Sequence, residues 1–285
     1  MVDLLKIAVP NKGSLAEGAW AMLSDAGYRQ RSDPKDLVLA DTQGGVEFYY
    51  LRPRDIAIYV GEGILDLGIT GCDMLLDSGA PAREIARLGF GASTFRFAGP
   101  AGAGLTVEAL AGCRIATSYP GLLGAYLDKY GVKARLITLD GAVESAIRLG
   151  VADAIADVVD TGTTLKRAGL ELFGEPVLVS EAILVASPGL DVDAPDVRHV
   201  MARLSGVMVA RDYVLIDYDI SDLDLSAAIQ LTPGLEGPTV SPLAKSGWSA
   251  VRALVPRLGA QQLMDDLWDA GARAILVTEV TACRL

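Results

Sequence analysis

The chain has 285 residues, 51% of them hydrophobic, with a formal net charge of −11 and a mean hydropathy of +0.35. That length and apolar content suffice for two or three well-packed domains and exclude a disordered chain. The acidic balance, with no basic stripe, argues against a nucleic-acid binder, which collects lysine and arginine to displace counterions from phosphates. A small polyanion remains open, because a few local basic residues suffice for it.

In chain order, Leu4–Pro10 is a short apolar run that predicts a strand, and N-K-G-S-L then starts a helix to about Ala26, with Ser14 as N-cap and Gly27 as stop. The segment V-L-A-D-T-Q-G-G-V-E-F-Y-Y-L reads as a hairpin turning at Gly44 and Gly45. R-P-R-D-I-A-I-Y-V-G-E-G follows as a helix, and Leu65–Thr70 as a strand. Leu110–Thr117 reads as an opening strand, S-Y-P-G-L-L-G-A-Y-L-D-K-Y-G as a helix ending at Gly131, and Ala134–Leu139 as a strand. In the next segment, D-G-A-V-E-S-A-I-R-L-G, Ala142, Ala146 and Leu149 share one helical face, which leaves Glu144 directed to solvent or to a cleft.

Residues 155–165 read I-A-D-V-V-D-T-G-T-T-L, an apolar strand with two aspartates that enters a Thr/Gly turn before a helix. Backbone N–H groups and threonine hydroxyls in such a turn can converge on an anion, while Asp157 and Asp160 can hold sugar hydroxyls or a magnesium-bound ligand. The other reading is a helix junction capped by Thr161 or Thr163. A segment starting at Gly63, G-I-L-D-L-G-I-T-G-C-D-M-L, matches the one starting at Gly150 in order: glycine, two residues, aspartate, a short apolar strand, then a polar loop. Two such segments point to two α/β lobes facing one cleft.

Glu181–Ala186 is a further strand, and a helix is expected near Val197–Leu204. From Gly206 the pattern is strand, helix, strand, strand, helix, strand, a ferredoxin-like β-α-β-β-α-β module suited to regulation or assembly. The only histidine, His199, falls on the polar side of the linking helix, so Ser-His-Asp and Cys-His nucleophile systems lack their base. Cys72, Cys113 and Cys283 form no C-x-x-C pair, which fits free thiols in a reducing compartment and gives no zinc site. The apolar run at the start is too short for a signal sequence and no stretch has the length of a membrane span, so a cytoplasmic protein is expected.

Lys12, Arg52 and Arg54 are the local cations: Lys12 is a solvated loop residue or a phosphate contact, and the arginines sit where a helix macrodipole disfavours them. Asp73, after Thr70 and Gly71, either caps a helix or accepts a base or ribose contact.

These segments together, A-V-P-N-K-G-S-L, L-R-P-R-D-I-A-I-Y-V, G-I-T-G-C-D-M-L, A-D-A-I-A-D-V-V-D-T-G-T-T-L and P-G-L-E-G-P-T-V-S-P-L, span the chain and closely resemble the long, allosterically regulated ATP phosphoribosyltransferases of histidine biosynthesis. The resemblance implies two periplasmic-binding-protein-like α/β lobes around a cleft, lobe I from 1–93 and 183–205 and lobe II from 94–182, plus a ferredoxin-like (ACT-like) domain over 206–285. It implies that phosphoribosyl pyrophosphate lies over Asp157, Asp160, Thr161, Gly162, Thr163 and Thr164, with its 5′-phosphate on the turn. Adenine N1 of ATP then attacks the anomeric carbon with inversion, and magnesium-bound pyrophosphate leaves. Lys12 and Arg52 are implied, with Asp157 and Asp160, as catalytic residues serving phosphate and ribose; Asp73, Met74 and Glu144 are implied at the substrates. Mg2+ is the implied cofactor, histidine the inhibitor held by Asp219, Leu235, Thr239 and Ala274, and AMP a competitive ligand. A dimer-hexamer equilibrium, with no nucleic-acid or membrane partner, completes the expectation. Within the turn, relatives are expected to vary among Ser, Thr, Ala and Arg where this chain has D-T-G-T-T. The competing readings are a two-lobed solute-binding protein, against which the appended module and the missing signal sequence count, and an amino-acid sensor without catalysis.

Overall fold

A computed structural model describes residues 4–159 and 162–284. Asp160 and Thr161, two of the turn residues singled out by the sequence, lie outside the described residues. The chain forms two compact units, one of residues up to Ala21 with Tyr28–Val197, the other of Met22–Gly27 with the residues from Arg198 onward.

The chain opens with β1 (Leu5–Pro10), α1 (Ser14–Asp25), β2 (Val38–Asp41), β3 (Val46–Leu51), α2 (Pro53–Gly61), β4 (Leu67–Gly71), α3 (Cys72–Ser78) and β5 (Arg83–Arg87). It continues with β6 (Ser93–Pro100), a 3₁₀ turn at Glu108–Leu110, β7 (Arg114–Thr117), α4 (Pro120–Tyr130), β8 (Arg135–Thr138), α5 (Ser145–Arg148), β9 (Ala154–Val159), α6 (Thr163–Arg167) and β10 (Leu170–Ser180), before β11 (Ala182–Ala186). The first unit thus contains two mixed sheets, ordered β2-β3-β1-β4-β11-β5 and β10-β6-β9-β7-β8. The central strands β4 and β11 are buried at every position, as their unbroken apolar and small residues require of strands covered on both faces.

The two look-alike segments are structural equivalents. Asp66 Oδ2 accepts the Lys6 amide at 2.8 Å while the Asp66 amide donates to the Lys6 carbonyl, and β4 then runs parallel to β1. In the second sheet Asp153 Oδ2 accepts the Arg114 amide at 2.8 Å, the Asp153 amide donates to the Arg114 carbonyl, and β9 runs parallel to β7. In each case one aspartate fixes where the returning strand starts against the first, which sets the register. The Arg114 guanidinium adds its own hydrogen bonds to Asp153 and holds that carboxyl down at about 2.

The chain crosses between the sheets twice, at 88–92 and at 181, and the crossings bond to each other. The Leu88 amide donates to the Ala182 carbonyl and the Ala182 amide to the Phe90 carbonyl, while Glu181 Oε2 accepts the Gly89 amide at 3.2 Å. A second tie joins the sheets through helices. Asp77, on α3, accepts the Gly121 and Leu122 amides at 2.9 and 3.1 Å, so its carboxylate caps the N-terminus of α4 in place of a local cap residue. Its other oxygen takes Arg54 at 3.0 Å, and that guanidinium lies 4.3 Å over the Tyr119 ring. The backbones approach so closely that a β-carbon at Gly121 would overlap the Asp77 carbonyl.

The second unit contains all but the first three residues of α7 (Pro195–Asp212), then β12 (Tyr213–Ser221), α8 (Leu225–Leu231), β13 (Thr239–Pro242), β14 (Trp248–Pro256), α9 (Ala260–Asp269) and β15 (Arg273–Glu279). Its antiparallel sheet is ordered β13-β14-β12-β15, the ferredoxin-like arrangement expected of the β-α-β-β-α-β pattern. β12 alternates strictly, with Val214, Ile216, Tyr218 and Ile220 in a core shared with Ala228 of α8 and Leu267 of α9. Tyr218 Oη, buried there, is 2.8 Å from Thr232 Oγ1.

Four sequence expectations shift. Gly206–Asp212, expected to start a strand, continues α7, because Val200, Leu204, Val207 and Ala210 keep a buried helical spacing that outweighs the strand preference of V-M-V. Leu110–Thr117 holds the last residue of the 3₁₀ turn, a three-residue connection and a strand of only four residues. Ser14 is the first residue of α1 and not its cap. The helix after Asp140 is a single turn preceded by Ala142 at φ +48°, so Ala146 is its buried residue, Val143 is buried ahead of it, and Leu149 is 73% exposed.

Asp77→Ala is expected to lower unfolding stability by about 1–2 kcal/mol, the size of a lost helix cap with its ion pair. Asp77→Asn, which keeps an acceptor, should recover most of the loss, and the urea midpoints of the two variants test this.

Candidate functional site

The candidate residues collect at the carboxyl ends of the parallel strands in both sheets, where open α/β sheets place ligands. In the first sheet the Asn11 amide donates to the Leu51 carbonyl, so the loops after β1 and β3 emerge side by side. Lys12 is exposed on the first loop, and Arg52 is exposed at the start of α2. Asp73 sits in the first turn of α3, directly after β4.

A cavity of about 420 Å³ opens along β9 of the second sheet, within the size range of small-molecule sites. Asp157 points into it and is joined there by Glu144, Gly162, Thr163, Thr164 and Arg96. Asp157 Oδ1 accepts the Ser118 hydroxyl at 3.0 Å and the Val158 amide at 2.8 Å. Burial pushes the Asp157 carboxyl above its ordinary value, while those two donors and the Arg54 charge pull it back and Glu144 adds to the rise. Gly162 stands at the N-cap of α6 with φ +68°, a left-handed conformation that suits glycine, and itself brings no capping side chain. Thr163 is the first residue of α6, one past the N-cap position, and the capping alternative for Thr161 lies outside the described residues. Because α6 has five residues, its dipole adds little, and the anion-binding capacity of the turn rests on its local donors.

A second cavity of about 420 Å³ adjoins the first: Val158 lines both. Asp73, Met74, Tyr119 and Ser93 border it. Asp73 is 5% exposed and does not cap α3; the Ser180 hydroxyl donates to its Oδ1 at 2.8 Å and accepts its amide at 3.0 Å. Burial, and then the Asp73 carboxylate beside it, push the Tyr119 phenol far up, so Tyr119 stays protonated as a hydrogen-bond donor. Ser118, Tyr119 and Ser180 carry no sequence signal of their own. S-Y-P reads simply as a helix start, and Ser180 meets Asp73 only through a contact 107 residues apart.

The structure thus groups Glu144, Asp157, Gly162, Thr163 and Thr164 at one cavity and Asp73 and Met74 at the next. Lys12 and Arg52 border neither, and Arg54 is engaged by Asp77 and Tyr119. Among the described residues neither cavity is lined by a cysteine or a histidine: burial raises the Cys72 thiol, and His199 is exposed on α7. Among the described residues no three carboxylate, histidine or cysteine side chains converge as metal ligands. Glu144 and Asp157 supply two carboxylates to one cavity, the number Mg2+ uses when substrate phosphates and water complete its shell. All three cysteines are free, and no helix among the described residues is long and apolar enough to cross a membrane.

In the second unit, Thr239 borders a groove of about 190 Å³ with Ser241 and the Asp217–Arg252 ion pair of 2.7 Å. Asp219 is on the same face of β12 as Asp217 and lies opposite Ala250 and Arg273. Leu235, in the loop before β13, and Ala274, at φ +50° in the bulge of β15, are exposed and outside that groove.

Residues 52–206 match the family model for ATP phosphoribosyltransferase, and residues 210–282 match the model for the C-terminal domain of that family. The chain is 58% identical to an ATP phosphoribosyltransferase of Arthrobacter sp. (strain FB24), over 99% of this chain and 100% of that one. It is 56% identical to the Streptomyces coelicolor ATP phosphoribosyltransferase over the same shares. Among solved structures it resembles the ATP phosphoribosyl transferase complex from Thermotoga maritima, with a TM-score of 0.63 and 28% identity, covering 72% of this chain and 98% of that one. With the extra C-terminal domain in place, this chain belongs to the ATP phosphoribosyltransferase family in its long form.

Proposed function

We propose that the protein transfers the phosphoribosyl group of phosphoribosyl pyrophosphate to N1 of ATP, giving phosphoribosyl-ATP and pyrophosphate, the first step of histidine biosynthesis. The observation that carries this reading is the pair of cavities meeting at Val158, one lined by Asp157, Glu144 and the Gly162–Thr164 segment and the other by Asp73 and Met74. The phosphoribosyl group occupies the first, with its 5′-phosphate at the 161–164 turn and its hydroxyls at Asp157 and Asp160. The adenine occupies the second, with Asp73 and Met74. Family membership over the full chain supports the same assignment.

The reaction needs no protein nucleophile. The bond from C1′ to the pyrophosphate oxygen breaks with its electron pair leaving on pyrophosphate, and the adenine N1 lone pair forms the new bond to C1′ from the opposite side. Positive charge develops on the ribose in between, and Asp157, buried and fixed by Ser118 and the Val158 amide, stabilises it while orienting the sugar. Asp73, held by Ser180, orients the base. Lys12 and Arg52, exposed at the strand ends, serve phosphates as the substrates enclose them. Bound Mg2+ would neutralise pyrophosphate charge, held by the substrate with Asp157 or Glu144.

The C-terminal unit is the regulatory part in this reading, with histidine bound on the outer sheet face near Asp219 and Thr239 and inhibition coupled to a dimer-hexamer equilibrium. AMP competes at the nucleotide cavity, and the protein works in the cytoplasm.

Incubation with ATP, Mg2+ and phosphoribosyl pyrophosphate is expected to yield the N1-substituted adenine product, and folded protein that binds both substrates but forms none would refute the reading. Asp157→Ala combined with Thr161→Ala should weaken phosphoribosyl pyrophosphate binding at least about tenfold and leave histidine binding within about twofold, measured by calorimetry. Asp219→Ala and Thr239→Ala should relieve histidine inhibition without changing kcat; inhibition of unchanged strength would place the effector elsewhere. A pH test isolates Asp157. Its folded pKa is raised above the unfolded 3.8, so the charged form costs stability at every pH above the folded pKa, and that cost fades as pH falls toward 3.8. Asp157→Asn should therefore melt higher than the parent at pH 7 and lose that advantage below pH 4, as thermal scans at the two pH values will show.

A further inference from the structure

We propose that Arg96 is a phosphate-binding residue of the phosphoribosyl cavity. This rests on the assignment of that cavity to phosphoribosyl pyrophosphate and adds a fixed cation in the cavity wall to the exposed Lys12 and Arg52 and the Mg2+ of that assignment. The cavity is lined by two carboxylates, Glu144 and Asp157, and a substrate bearing several phosphate charges is repelled there unless a fixed positive group faces it. Lys12 and Arg52 are exposed and outside the cavity, and Arg54 is committed to Asp77. Among the described lining residues Arg96 is the only cation.

The local geometry keeps that charge available. Arg96 on β6 is the cross-strand partner of Asp157 on β9, a placement in which an arginine and an aspartate ordinarily pair. Here they do not. Asp157 Oδ1 accepts Ser118 and the Val158 amide, and Arg96 turns its Nη2 to the Gly174 carbonyl at 2.9 Å. The β10 strand makes this possible. It pairs Phe173 with Phe97 and Leu178 with Phe95, so residues 174–177 bulge out opposite Arg96, and Gly174 at φ +65° presents its carbonyl to the guanidinium. One of the five guanidinium donors is thereby spent on holding the side chain in place, and Nε is buried with no partner. A buried donor without a partner is costly, and an anion entering the cavity beside it supplies an acceptor and relieves that cost on a small rotation of the group. Planar, always charged and anchored at one edge, Arg96 has the properties of a preorganised phosphate clamp.

The test compares the full-length enzyme with Arg96→Gln, and with Arg96→Met, which keeps the aliphatic stem should the first be unstable. Expected is a rise of about ten- to a hundredfold in KM for phosphoribosyl pyrophosphate with KM for ATP within about twofold. The parent KM should also climb with ionic strength, and the climb should flatten in the variant. If Arg96 merely buttresses the β10 bulge, the variants instead lose thermal stability and both KM values move together, which overturns the proposal. Competition by ribose 5-phosphate and by inorganic pyrophosphate identifies which phosphate is bound: weakened inhibition by either in the variant supports the contact, and unchanged inhibition by both overturns it. Asp157→Asn runs alongside. A variant of Asp157 that loses phosphoribosyl pyrophosphate affinity while the Arg96 variants keep it refutes the role of Arg96 alone; retention of affinity in all of them refutes the cavity assignment as well.

Discussion

The arrangement of the site depends on one carboxylate. Asp77 leaves α3 of the first sheet and caps α4 of the second, supplying acceptors to amides that have no partner in their own helix. Arg54 completes the contact, bonded to Asp77 and stacked on Tyr119, and its charge reaches Asp157 as well. Because Asp157 lines the first cavity and Tyr119 the second, the same ion pair stands behind both. The backbone contact at Gly121 leaves no room for a larger residue, so the distance between the two sheets at this point is set by main-chain atoms. Two cavities that share Val158 need that fixed spacing if the reacting atoms of two substrates are to meet.

The same economy appears in how the sheets are built. A glycine, two residues and an aspartate start β4 beside β1 and start β9 beside β7, each aspartate closing a reciprocal pair of bonds with the first strand. Both returning strands end at residues of the proposed site, Asp73 after β4 and Asp157 within β9. Register at one end of a strand therefore decides which side chains arrive at the other. A one-residue slip in β9 would exchange the faces of all its side chains and move the Asp157 carboxylate away from Ser118.

Much of this was legible in the residues because local signals and tertiary demands agree. The alternation of β12, the glycine stop at Gly131 and the short apolar β1 each satisfy propensity and burial at once. Where they diverge, the sequence misleads. The V-M-V of α7 has strand preference but is held in a helix by burial at helical spacing, and A-V-E-S-A-I-R fails to make the helix it resembles because the backbone turns at Ala142. The strands β6 and β10 carry no clear pattern, since an arginine interrupts one and G-E-P the other, and the two irregularities face each other across the ladder. The site shows the same division. Asp157 and the glycine-threonine turn announce themselves, whereas Ser118, Ser180 and Tyr119 matter only through partners distant in sequence.

The paired crossings at 88–92 and 181 have a mechanical meaning. Two chain segments bonded edge to edge act as a strip, compliant when bent across its width and stiff against shear along it or twist about it. The two sheets of the first unit are thus joined along one line by this strip and, away from it, by the Asp77 contact at the mouth of α4, two attachments that together leave little freedom for one sheet to slide past the other.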